Sequence, residues 1–399
     1  MIISETEFRN LLSTRKNIAL ILGCESLTAL GIIRSLGMTN IPILGINFSQ
    51  ENSLPTYSKF AKIFYRPKSW TDQDLLDLLC STTHKGAVLC ATDNTEIFLN
   101  NNKNRLRHHW NFFYSNKYNS QDLMDKGKML DWARAAGFSI PPTAIIEPGK
   151  NLPLKEIEVI SPPCILKPAT SLNFGKETFN ILETKDNIIP IIENYRNQYG
   201  KCMLQEFVGD STANGMIEVL AHKPSNSSRV LACGISKIRQ YPYSIGSSSF
   251  IKTMPLSKEE HIKLAKYLTL IDYEGVVDFE FKKKGGQIYF LEINIRCGTP
   301  IHLSTCAGLN LVQIAYKHLI GEDINYDSVA NPAVSIYWMR DDSDWKHLPE
   351  GHLGFWKFIK NLFQTDTYAI FKRNDLSPFI HYLYKSLRKK LTGKRNHTP

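Results

Sequence analysis

Residues Glu280 to Arg296, reading EFKKKGGQIYFLEINIR, constrain this chain more tightly than any other stretch. Glu292, Asn294 and Arg296 alternate with Leu291, Ile293 and Ile295. In a β-strand that spacing puts acid, amide and guanidinium on one face and the aliphatics on the other. Glu280 lies on the preceding apolar run, and Lys284, Gly285, Gly286 and Gln287 form the natural turn between them. A hairpin would thus return a second carboxylate towards the first. Two carboxylates and an amide are oxygen ligands suited to Mg²⁺, which usually binds few protein groups plus substrate phosphates. An adjacent arginine suits the phosphates themselves. The segment reads as a nucleotide–metal site with Glu280, Glu292 and Asn294 as metal ligands.

Register decides whether that site can form. A two-residue loop pairs Lys284 with Gln287 and sets Glu280 opposite Leu291, on the wrong side from Glu292. A three-residue loop pairs Lys283 with Gln287 and sets Glu280 opposite Phe290, beside Glu292. The metal reading therefore predicts an odd-length loop, or a bulge with glycine in a left-handed conformation. A clean two-residue turn would count against it, and an exposed hairpin with scattered charges is the competing reading.

Three more blocks occur upstream. Asp125-Lys126 opens a helical stretch that closes at Gly137 and is followed by Ile140-Pro141-Pro142-Thr143. Pro163-Cys164-Ile165-Leu166-Lys167-Pro168 is a short apolar strand ending in lysine. Met203-Leu204-Gln205-Glu206-Phe207-Val208-Gly209 is a strand ending in Gln-Glu-aromatic and glycine. A lysine closing an apolar strand needs a partner, because buried ammonium groups are costly. In this order and with these gaps the four blocks resemble the ATP-grasp superfamily across most of residues 1–330, and within it the ATP-dependent carboxylate–amine ligases that include D-aspartate ligase-like proteins.

The resemblance implies a Rossmann-like domain over 1–116, a two-lobed ATP-grasp domain over 117–330 and an extension over 331–399 with a basic helical tail. It implies that Lys126 and Lys167 bind ATP phosphates, that Gln205, Glu206, Phe207 and Val208 hold adenine, and that Asp210 accepts the ribose hydroxyls. A turn role for Asp210 competes with the last. Arg239, in the basic stretch Ser236–Pro242, is the candidate for a substrate carboxylate or the transferring phosphoryl group. Arg296 and Lys167 complete the catalytic set. The cofactors implied are ATP and Mg²⁺, with Mn²⁺ as an alternative ion. One departure stands out: the loop 169–179 offers only Gly175, with Ser171 and Lys176 nearby, where many members have a glycine-rich cover for the phosphates.

The remaining sequence fits this α/β and α+β reading. At 399 residues and 43% hydrophobic content the chain should hold two or three cores. Strand-like runs at Asn17–Gly23, Ile41–Phe48 and Ala87–Ala91 alternate with helical runs at 25–36, 72–80 and 95–108, the pattern of a parallel doubly wound sheet. Gly23 and Gly31 do not make a dinucleotide fingerprint. Asp93-Asn94 follows a strand and could face the cleft, though a helix cap is the favoured reading, and Ser120 reads as the cap of a helix over 121–136. Eight scattered cysteines without CxxC pairs read as reduced thiols. Cys297, next to Arg296, could lie near the site but reads as packing, and His302 reads as a histidine of the core or one supporting the site, not a catalyst. No apolar secretory signal or membrane-spanning run is seen, which suggests a cytoplasmic protein.

Residues 351–399 hold ten Lys/Arg against Asp366 and Asp375, so they contribute +8 of the chain's +10. The aromatic and leucine stripe His381–Leu391, set among these charges, suits either an anionic membrane surface, at the inner face of the membrane, or a solvated helix packed on the core. Nucleic acid is not expected. The leading functional reading is an amide-forming ligase that activates a small-molecule carboxylate as an acyl phosphate, with a cell-envelope or polysaccharide precursor as one candidate substrate. The alternatives are a non-catalytic nucleotide-binding, membrane-peripheral adaptor, and an ATP-grasp enzyme that makes a thioester or phosphorylated product.

Overall fold

In a computed structural model of the chain, the described residues are 1–49, 52–82, 84–170, 175, 178–224 and 229–391, with side chains described to 388. They group into two compact units. The first comprises residues 1–114, 249–253 and 296–399, and the second residues 115–248 and 254–295. Ser171 and Lys176 lie outside the described residues.

The first unit is built on a six-stranded parallel sheet. Its order across the sheet is Ile2–Ile3, Ala61–Tyr65, Ile43–Asn47, Ala19–Leu22, Gly86–Cys90 and Trp110–Asn111. Ala19–Leu22 is buried along its whole length, as expected of a parallel strand covered on both faces. The helix Leu27–Gly37 is buried almost throughout, and Ile301–Cys306 and Leu311–Leu319 pack on it. The helical run read over 95–108 is two pieces, Asp93–Asn101 and Lys103–Leu106. Thr92, not Asp93 or Asn94, caps the first piece: its hydroxyl accepts from the Thr95 N–H and the Thr95 hydroxyl returns the bond.

Two buried polar groups hold the 296–391 segment to this sheet unit. Arg34 donates to the Asp375 carboxylate at 3.0 Å, both side chains being buried, and to the carbonyls of Ala369 and Ile370. His302 is buried between the Ser35 hydroxyl at Nδ1 (3.0 Å) and the Lys372 ammonium at Nε2 (2.8 Å). An ammonium can only donate, so Nε2 accepts and the imidazole is neutral with its proton on Nδ1.

The second unit contains two antiparallel sheets. The smaller has the order Thr143–Ile146, Cys202–Glu206, Cys164–Pro168, Asn180–Leu182. One face, with Ala144, Ile146, Leu166 and Leu204, forms a core with Ile157, Ile188 and Ile192 of the helices Leu154–Val159 and Ile188–Tyr199. Four neighbouring strands of the larger, seven-stranded sheet run Gln287–Asn294, Val276–Lys284, Met216–His222, Leu231–Tyr241. Phe279, Phe281 and Phe290 project from one face onto Tyr267 and Phe138. The helices Lys126–Ala136 and Lys258–Leu270 cover that side. Ser120 does not cap the long helix. Asn119 caps a short turn at Ser120–Leu123, and Asp125 caps Lys126–Ala136, which ends at Gly137 with φ of 94°. All eight cysteines are free thiols.

His302 generates a pH prediction. Burial first, then Lys372 and Arg34, push its pKa down to about 3. An unfolded histidine titrates near 6.5. Between these values the unfolded chain binds the extra proton, so stability is present above pH ~6.5 and is lost as pH falls towards the folded value. Between pH 7 and 4 the wild type should lose about 3 kcal/mol more than His302→Gln in denaturant titrations. Parallel losses in the two proteins would contradict this assignment.

Candidate active site

The hairpin carries a two-residue turn, with Lys284 paired to Gln287 and Gly285 and Gly286 at φ of 58° and 84°. Both positions need positive φ, as in a type I′ turn, which explains the two glycines. Such a turn alone would set Glu280 opposite Leu291. The ladder, however, shifts between Glu280 and Phe281, so Phe281 pairs with Phe290 and Glu280 with Glu292. Leu291 is the extra residue of a β-bulge. The turn is thus the two-residue one expected to count against the metal reading, and the expected left-handed glycine bulge is not the one found; a bulge at Leu291 instead brings Glu280 directly opposite Glu292.

This register gives the sheet a polar face. Glu218 pairs with Glu280, Glu280 with Glu292, and Asp278 with Asn294, so these side chains share one face. Lys282 and Lys237 stand on the same face two residues from Glu280 and Ile235 along their strands, Ile235 being paired with Glu218. Lys237 is buried and its Nζ lies 3.2 Å from Glu218. Burial lowers its pKa, but Glu218, Glu280 and Asp278 outweigh that penalty and leave it raised. Ser248 donates to the same Glu218 oxygen that Lys237 approaches, Oε1 (2.5 Å), and Glu218 Oε2 is buried without a hydrogen-bond partner.

Lys126 occupies the first helical position after Asp125, where the helix dipole disfavours a cation. Its compensation is Glu292, 3.3 Å away, and its Nζ also lies 5.5 Å from the Phe179 ring centroid. Lys128, by contrast, is exposed and pairs with Asp122. Lys167 is buried at the end of its strand and donates to Gln205 Oε1 at 3.1 Å, while Gln205 Nε2 donates to Thr143.

A cavity in the second unit draws its walls from both sheets. The cavity volume is about 120 Å³, and it opens to solvent. Lys167, Gln205, Glu206, Phe207, Val208, Asp210, Glu280 and Glu292 all line it, as do Leu291, Lys282 and Phe179. The bulge accounts for Leu291 and its neighbour Glu292 opening onto the same space. Asp210 is a turn residue as well as a wall: it accepts from the Thr212 N–H and hydroxyl at 2.9 and 2.6 Å, which holds its carboxyl below the ordinary carboxylate range. Buried Lys282 ties down this turn through the carbonyls of Asp210 and Thr212.

Four expected site residues stand outside the cavity wall, Lys126 among them. Asn294 shares the polar face but is not in the cavity wall, and half-buried Arg239 is also outside it. Arg296 falls in the first unit and forms a two-point ion pair with Asp93, at 2.7 and 3.3 Å. Glu218, Lys237, Asp278 and Lys282 were not singled out from sequence. The lone acid in Met216–His222 and the Lys-x-Arg spacing of Lys237 and Arg239 were the available signals.

A family model described as "ATP-grasp in the biosynthetic pathway with Ter operon" matches residues 250–341. Among solved structures, the fold is similar to N5-carboxyaminoimidazole synthetase from Staphylococcus aureus complexed with ADP, with a TM-score of 0.62, 14% identity and coverage of 85% of this chain and 87% of that one. It is similar to the biotin carboxylase domain of Hydrogenobacter thermophilus 2-oxoglutarate carboxylase with MgADP, with a TM-score of 0.61, 16% identity and coverage of 80% and 73%. It is also similar to L-amino acid ligase from Bacillus licheniformis, with a TM-score of 0.58, 13% identity and coverage of 80% and 78%. No curated protein matches the sequence. The chain has the ATP-grasp fold, with a parallel-sheet N-terminal region and a helical C-terminal extension.

Lys237 offers a test of the polar face. Removing one partner of a buried ion pair typically costs about 3–5 kcal/mol, because a charge is left uncompensated. Lys237→Met should destabilise by that order, and Glu218→Leu in the same chain should restore a large part of the loss. A loss under about 1 kcal/mol in denaturant titration, or strict additivity of the pair, would contradict the coupling.

Proposed function

We propose that this protein is an ATP-dependent carboxylate–amine ligase. The observation that carries the reading is the Glu280–Glu292 pair, set face to face by the bulge in a cavity that also holds Lys167 and the Gln205–Val208 segment. The donor set fits Mg²⁺, because two carboxylates leave the remaining positions to phosphate and water. Glu280, Glu292 and Asn294 would hold the ion, whose charge offsets that of the phosphates when bound. Lys126 and Lys167 would bind the phosphates.

The adenine contact follows from which backbone groups are already engaged. The Glu206 and Phe207 N–H groups donate to the carbonyls of Pro142 and Pro163, both at 2.9 Å. Within the 205–208 segment the adenine-facing donor is therefore Val208 N–H, with the Glu206 carbonyl as the natural acceptor beside it. Asp210, fixed by Thr212, would receive the ribose hydroxyls.

In the reaction so assigned, a substrate carboxylate oxygen attacks the γ-phosphorus, an O–P bond forms, and the bond to the ADP oxygen breaks. An amine nitrogen then attacks the acyl phosphate carbon, phosphate leaves, and the nitrogen loses its proton. The protein's part is positioning and charge stabilisation. Lys126 and Lys167 would spread the developing negative charge, and Arg239 would meet a substrate carboxylate. The solved structures of similar fold with ADP or MgADP bound, and the L-amino acid ligase, support this class of reaction. The substrates would be small-molecule carboxylates and amines.

The test is ADP release from ATP and Mg²⁺ across a panel of carboxylate and amine pairs, with Glu292→Ala beside the wild type. Release that requires both members of a pair, yields the amide by mass spectrometry and falls at least about 100-fold in the variant is the expected result, since both metal and phosphate positioning are lost. Pair-dependent release that is equal in wild type and Glu292→Ala would contradict the site assignment.

A further inference from the structure

Two helices of the first unit carry their apolar residues on the outside. In Phe355–Gln364, Trp356 is 79% and Phe363 88% exposed, whereas the residue buried against the protein is Asn361. In Ser377–Leu391 the inward side is marked by Pro378, which is buried, by half-buried Phe379 and Tyr382, and by His381 stacked on Tyr57 at 3.7 Å. On the outward side Ile380, Leu383, Tyr384 and Leu387 follow the i, i+3, i+4, i+7 spacing of one face. Ile380 and Leu387 are each 61% exposed. A helix solvated on its outer face would show the reverse distribution.

The two helices are joined by an aromatic chain. The Tyr368 hydroxyl donates to the Leu362 carbonyl at 2.7 Å, and Phe371 bridges the Tyr368 and Phe379 rings at 5.8 and 5.2 Å. Phe371 is itself partly exposed. The charge that residues 351–399 themselves add is mostly positive. Of the two acids in residues 351–399, Asp375 is buried against Arg34, which leaves Asp366 to oppose the basic residues. Lys357 and Lys360 are exposed on the first helix, and Lys385 and Arg388 are exposed on the second.

We propose that these two helices form a docking surface for an anionic lipid bilayer. Aromatic and aliphatic side chains would enter the headgroup boundary while flanking lysines and arginines meet the phosphates. Among the described residues no helix is long and apolar enough to cross a membrane, so the attachment lies in the plane of the surface. A second copy of the chain is disfavoured as the occupant, because two such faces bring like charges together. The inference is independent of the ligase reading, since none of its residues lines the cavity.

The experiment is co-sedimentation of the full chain with vesicles of phosphatidylglycerol and phosphatidylcholine, beside vesicles of phosphatidylcholine alone. Binding to the anionic vesicles only, released by added salt, is the expected result. Trp356→Ser with Phe363→Ser, and Leu383→Ser with Leu387→Ser, should each weaken binding about tenfold or more. Their melting temperatures should not change, because the replaced side chains are exposed. Failure to bind anionic vesicles, equal binding to neutral ones, or wild-type binding by both variants would overturn the proposal. A dimer in sedimentation equilibrium that the same variants dissolve would also overturn it, by assigning the face to a second copy.

Discussion

Leu291 is one residue more than the opposing strand can match, and most of the candidate site depends on how the ladder absorbs it. A β-strand has a period of two, so a single-residue shift moves every following side chain to the other face. With the Gly285-Gly286 turn and no bulge, Glu292 would point at the aromatic core and Glu280 would have no carboxylate opposite it on the returning strand. The bulge keeps Phe281 paired with Phe290 on the core side and sets Glu280 against Glu292 on the other. Turn and bulge thus work together: the turn starts the aromatic ladder in register, and the bulge resets it before the carboxylates begin.

That polar face needs cations to exist in a folded protein. Glu218, Asp278, Glu280 and Glu292 would repel one another without Lys237 and Lys126, both of which are buried. The arrangement is costly to assemble and gives little net stability compared with apolar packing of the same volume. Such clusters are commonly kept where a site must present charge to a ligand. Lys126 shows how local and tertiary effects trade: the helix start disfavours it, and Glu292 from another element compensates.

The local signals were legible where side-chain type and spacing report structure directly. The alternation Glu292, Asn294, Arg296, the lysine ending Cys164–Pro168 and the Gln205–Gly209 block all pointed to residues that the structure brings to one cavity or one face, Arg296 excepted. Long-range pairings were not legible. Arg296 was read with its strand neighbours, yet its partner is Asp93, 203 positions away in sequence. Lys237 is buried because Glu218 lies across the sheet from it, and no local pattern states which strands are neighbours. Ser120 and Asp93 were both read as caps because each is a suitable residue type near a helix start. Asn119, Asp125 and Thr92 are equally suitable, and the turn geometry chose among them.

The most direct measurement is a crystal structure with ADP and Mn²⁺, using the anomalous signal of manganese to locate the ion. The account predicts a peak bound by the carboxylates of both Glu280 and Glu292, with the nucleotide phosphates completing its coordination beside Lys167. An ion held away from these two residues, or a nucleotide bound outside the cavity with Glu280 and Glu292 still face to face, would contradict it.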